Sequence, residues 1–147
     1  FSKTQITLKN GLAQKGSNRG DRRGGQDRIY TPPGYENDLW IAAFDGLYHA
    51  PEGEKFILQN QVEEIHGFGF GKAAPNKKYP ALYLVGTING TRGIYRSDDK
   101  AKNWFRINDD EHEWGLILHV TGDPKKYGRV YIGTHGRGAI YGNPIYH

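Results

Sequence analysis

Short apolar runs recur along the chain, each bounded by glycine or a polar turn. Asp38-Leu39-Trp40-Ile41-Ala42 is the first, Ala81-Leu82-Tyr83-Leu84-Val85-Gly86-Thr87 the second and Arg129-Val130-Tyr131-Ile132-Gly133-Thr134 the third. Their length and their β-branched and aromatic content predict strands. A shorter run follows each of them: Gly46-Leu47-Tyr48, Gly93-Ile94-Tyr95 and Gly138-Ala139-Ile140-Tyr141. The tyrosines of these shorter runs are 47 and then 46 residues apart. A period of about 40–50 residues with several short strands per unit predicts β-propeller blades.

The stretch from Gly93 to Trp104 reads as strand, tight loop, strand. Ile94 and Tyr95 open it, and Trp104, Phe105 and Ile107 resume the apolar pattern. Ser97, Asp98 and Asp99 lie between, and such side chains close turns by bonding nearby backbone N–H groups. The order Ser, Asp, small, polar, Trp is that of an Asp-box hairpin. Ser97 and Asp99 are expected to pin the loop on backbone amides, and Trp104 to bury itself on the blade core. Ala101 stands where this pattern prefers Gly, and Asn103 where it prefers Thr. A worn copy runs from Ala50 to Phe56, with Ala50, Glu52, Gly53 and Phe56 in the equivalent places. The alternation Gly67-Phe68-Gly69-Phe70-Gly71 predicts an inner strand crowded by its neighbour, with only small residues tolerated on one face.

These units predict an all-β fold of about three Asp-box propeller blades. Phe1 to Leu8 is the outer strand of a preceding blade, and 9–26 is a loop. Residues 27–60 and 62–108 are two blades, and 116–143 is a last blade without its fourth strand. A ring needs ~4–8 blades. The expectation is therefore a C-terminal fragment of a seven-bladed propeller, with the rest of that protein as its partner. The alternative is a short chain that closes the ring as an oligomer.

Composition changes this picture little. With 21 Gly, 13% aromatic residues and no Cys, the 147 residues fit a turn-rich β-protein without disulfide or thiolate metal site. The net charge of +4 is mild. Arg19, Arg22, Arg23 and Arg28 gather near the N-terminus, but Asp21 and Asp27 interrupt them and no aromatic residue accompanies them in 9–26. That segment reads as a solvated loop rather than a nucleic-acid surface. No apolar run reaches the ~20 residues of a membrane span. The six histidines lack ligand spacing, so neither metal nor other cofactor is expected, and His66 reads as a core or channel residue. The chain opens on Phe1 rather than Met, which fits removal of a leader.

The densest chemistry lies in Ile107-Asn108-Asp109-Asp110-Glu111-His112-Glu113-Trp114-Gly115, a loop joining two blades. Asp109 and Asp110 read first as ties to backbone amides. Trp114 and His112 read equally as packing residues or as a sugar platform with a polar neighbour. Arg137, in the turn Gly136-Arg137-Gly138, is a further candidate contact. Loops alternate between the faces of a blade, so Arg137 and Trp114 need not share one.

Several segments occur in an order and spacing that resemble the C-terminal end of glycoside hydrolase family 74. They are Gly69 to Pro75, Tyr79-Pro80-Ala81-Leu82-Tyr83, Gly93 to Asp99, Trp104 to Gly115, Tyr127 to Thr134, and Gly136-Arg137-Gly138 with Tyr141-Gly142. The resemblance covers about residues 36–144. It implies two tandem seven-bladed propellers flanking a cleft, and a secreted enzyme hydrolysing the β-1,4-glucan backbone of xyloglucan. It also implies inversion by two aspartates, one as acid and one as base. In the family these aspartates belong to the first blades of the two propellers, so no catalytic residue is assigned here. The substrate-binding candidates are Trp114, His112 and Arg137; the structural set is Ser97, Asp99 and Trp104. Two other classes carry Asp-boxes: a non-catalytic sortilin-like propeller that binds protein or peptide, and a sialidase.

Overall fold

The computed structural model describes residues 28–43, 45–112 and 114–145. The outer strand expected at 1–8 and the loop at 9–26 lie outside the described residues, as do Phe1 and Glu113.

Eleven strands form three antiparallel sheets, without a helix among the described residues. The first sheet takes β1 (Arg28–Tyr30), β2 (Leu39–Ala43), β3 (Gly46–Ala50) and β4 (Ile57–Leu58) in sequence order. The second takes β5 (Val62–Gly71), β6 (Ala81–Ile88), β7 (Thr91–Ser97) and β8 (Phe105–Arg106) in the same way. The third has β9 (Ile117–Gly122), β10 (Val130–Thr134) and β11 (Ala139–Gly142), with β10 in the middle. Within each sheet, each strand pairs with the next one along the chain. Asn89 and Gly90, both at positive φ, turn β6 into β7.

Of the continuous apolar runs, β2 and β6 are strands covered on both faces, whereas β10 buries Ile132 and leaves Tyr131 exposed. Side chains alternate across a strand, so β6 feeds two cores. Leu82 and Leu84 pack with Trp40, Ala42 and Leu47 of the first sheet. Ala81, Tyr83 and Val85 pack with Ile117, Val120 and Ile132 of the third. A separate cluster, Ile41, Ala43, Tyr48, Ala50 and Phe56, covers the other face of the first sheet.

The β5 glycines sit where that strand crosses β9. A Cβ on Gly71 would lie 2.7 Å from Gly122 Cα, and one on Gly69 would strike the Val120 carbonyl. The need for small residues on one face of this strand thus has a physical cause: two backbones in contact.

The β7–β8 loop is held from within. Fully buried Ser97 accepts at Oγ from the amide of Ala101 at 3.0 Å and donates to Asp99 Oδ1 at 2.9 Å. Asp99 also accepts from the Asn103 amide at 2.9 Å and the Asn103 side chain at 2.6 Å. Ala101 has φ of 65°, the left-handed region, which explains a preference for Gly at this place. Trp104 differs from expectation. It packs against the core between the first two sheets but is only half-buried. In the worn loop Ala50 has no hydroxyl, and the backbone takes over: Gly53 N donates to Ala50 O at 3.2 Å.

Candidate functional site

The loop from Ile107 to Leu116 joins β8 to β9 and is anchored at both ends. Ile107 N donates to Ile94 O, and Asn108 Oδ1 accepts from Ile94 N at 2.8 Å. At the far end His135 N donates to Leu116 O at 2.9 Å. Ile117 is the register partner of Thr134, so the β10–β11 turn carrying Arg137 stands at the same end of the third sheet as this loop. The turn is closed by Thr134, whose Oγ1 donates to Gly138 O and accepts from Arg137 N, both at 3.0 Å. Trp114 and Arg137 therefore share one end of the molecule, which alternation of loops alone leaves open.

Trp114 is half-buried and packs against the core between the second and third sheets. One part of the ring is core, and the rest borders a cleft with Arg92, Asn108 and His112. His112 is exposed, with its ring 5.9 Å from that of Trp114. Arg137 is exposed as well.

Asp109 and Asp110 have separate tasks. Asp109 Oδ1 accepts from Glu111 N at 3.1 Å, His112 N at 2.8 Å and His112 Nδ1 at 2.6 Å. The His112 side chain is the largest influence holding the Asp109 carboxyl below the usual range, and the two amides add to it. Asp110 pairs instead with Arg106 at 2.6 Å.

A second polar group lies at the opposite end of the first two sheets, and sequence reasoning missed it. Buried Asp38 accepts from Tyr79 OH at 3.0 Å and from His49 Nε2 at 2.9 Å. Trp40 Nε1 donates to Tyr79 OH at 2.8 Å, and its ring stacks on His49 at 3.8 Å. Lys100 Nζ sits 4.3 Å from the centre of the Tyr79 ring. Burial raises the Tyr79 pKa above that of an ordinary phenol and lowers that of His49. A similar tie joins the second and third sheets. Tyr127 OH donates to Asp98 Oδ2 at 2.8 Å beneath Arg96, and burial pushes the phenol up to about 12. His66 is half-buried and pairs with Glu64 at 3.1 Å. Among the described residues no group of three His, Cys, Asp or Glu side chains could hold a metal.

No family model matches the chain. Individual proteins do. A xyloglucanase of Paenibacillus sp is 48% identical over 120 residues, 77% of this chain and 12% of that protein. A xyloglucanase of Acetivibrio thermocellus is 47% identical over 121 residues, 80% of this chain and 14% of that protein. The crystal structure of the GH74 xyloglucanase from Xanthomonas campestris superimposes with a TM-score of 0.76 at 35% identity, over 85% of this chain and 18% of that one. The GH74 enzyme of Niastella koreensis gives 0.74 at 39% identity, over 78% and 17%. The chain thus spans only about an eighth of the length of the curated relatives it matches. By sequence and by fold, it is a homologue of part of the glycoside hydrolase family 74 enzymes.

Proposed function

We propose that the chain is part of a secreted glycoside hydrolase that cleaves the β-1,4-glucan backbone of xyloglucan with inversion. The identity of 47–48% to xyloglucanases over about four-fifths of the chain carries this reading. Within that enzyme these residues supply propeller scaffold and one wall of the substrate cleft. Trp114 offers an apolar ring to a sugar face, and His112 and Arg137 at the same end take hydroxyls. Inversion needs an acid and a base ~6.5–9.5 Å apart. Asp109 is engaged by three N–H groups and Asp110 by Arg106; the family resemblance puts the acid and base in other parts of the enzyme.

The test compares the isolated 147-residue chain with the longer protein that contains it. The longer protein should release xylose-branched oligosaccharides of inverted anomeric configuration and leave unbranched cellulose largely intact. The isolated chain should release no reducing ends. Hydrolysis by the isolated chain would place the catalytic carboxylates within it.

A further inference from the structure

We propose that Asp109 is a positioning residue that holds His112 with Nε2 bare, as a hydrogen-bond acceptor for a sugar hydroxyl beside the Trp114 ring. This rests on the function proposed above and names a contact within it.

The tautomer follows from the partners. An ionised carboxylate has no proton to give, so in the 2.6 Å contact His112 Nδ1 carries the hydrogen and Asp109 Oδ1 accepts it. In the neutral ring the lone pair then sits on Nε2. The side chain is 59% exposed, and among the described residues Nε2 has no protein partner. The backbone beneath it is fixed from two sides: Asp109 takes the amides of Glu111 and His112, and Asn108 Nδ2 donates to the carbonyls of Asp109 and His112. Closing the turn needs only the two amide bonds. The third bond orients a solvent-facing ring, which supports no core.

What this ring offers is an acceptor next to an apolar platform. The two ring centres are 5.9 Å apart and inclined by 44°. A sugar matches this arrangement, because its face is apolar and its edge carries O–H donors. Other charges at this end are Arg92, which borders the same cleft, and His135 and Arg137 on the neighbouring turn. Glu111 follows in the loop, and Asp110 is paired with Arg106.

The experiment measures KM and kcat for xyloglucan in the full-length protein containing this chain, for the parent and for H112A, H112Q and D109N. H112A should raise KM by roughly two- to tenfold, the range of one hydrogen bond, with kcat and the melting temperature nearly constant. H112Q keeps an acceptor near the Nε2 position and should recover part of the affinity. D109N should raise KM less than H112A, again with kcat and the melting temperature nearly constant. An unchanged KM in H112A or in D109N, or no recovery in H112Q, overturns the assignment. If the parent does not hydrolyse xyloglucan, the proposed function falls instead. Calorimetry with xyloglucan oligosaccharides then tests the His112 contact alone, and equal affinity of parent and H112A, or no binding by either, overturns it.

Discussion

Ser97 and Asp99 share one loop but carry unequal weight. Ser97 is fully buried and serves a buried amide, that of Ala101. Ser97→Ala strands that N–H without water and should cost about 1–3 kcal/mol in denaturant unfolding. Asp99 serves the amide and side chain of Asn103, which water can reach, so Asp99→Ala should cost only about 0.5–1.5 kcal/mol. The reverse order would mean that the loop is held chiefly by its carboxylate. Partial burial pushes the Asp99 pKa up, but the bonds from Asn103 and Ser97 outweigh it and the net shift is downward. A lowered carboxylate pKa contributes stability above the unfolded value of about 3.8, which is lost as pH falls through the folded pKa. Asp99→Asn should flatten the acid end of the unfolding curve. His49 behaves differently. Burial, only partly offset by Asp38, lowers its pKa, so below about 6.5 the unfolded chain takes up a proton that the folded chain resists. Stability from this group is complete above that pH and declines on acidification, and His49→Gln should remove the decline. An unaltered slope in that variant would contradict the assignment.

Among the strands, β5 and β9 give the sharpest test of packing. Gly71→Ala pushes a methyl group against Gly122 backbone and the Tyr83 ring, at 2.7 and 2.8 Å. Since backbone does not yield as a side chain does, the change should cost about 1–3 kcal/mol or more. Gly133→Ala meets only the His119 side chain, at 3.4 Å, and should fall within about 0.5 kcal/mol of the parent. Equal melting temperatures for the two variants would mean that the strands are not in contact. The β5 glycines were legible in the chain because their spacing has the period of a strand, and the repeated tyrosines because blades repeat. The tie of Asp38 to His49 and Tyr79 was not legible. Its members lie 11 and 41 residues apart; the β2–β3 pairing brings His49 to Asp38, and the stacking of the second sheet brings Tyr79. Asn108 was equally silent, a polar residue just past a strand whose role depends on where β7 lies. The joint position of Trp114 and Arg137 is likewise a property of register, which residue type does not encode.

For the molecule as a whole, Trp114 links scaffold to cleft. Its half-buried ring predicts mixed behaviour. In the full enzyme Trp114→Ala should destabilise by about 2 kcal/mol, below the ~3–5 kcal/mol of a fully buried Trp, and should also raise KM for xyloglucan. A melting shift with unchanged kinetics would leave the residue to packing alone. The two-sided burial of β6 has a consequence of another kind. Because the three sheets touch mainly through the clusters flanking the middle one, they form a short one-dimensional array whose units are stabilised by neighbours. In the isolated 147-residue chain, opening of such an array begins at an end and spreads inward. Amide exchange should then be slowest in β6, faster in β2 and β10, and fastest in β11, which has β10 on one side and no described strand on the other. Severing the chain after the second sheet would bare Tyr83 and Val85 to water, turning the best-protected strand into an aggregation surface.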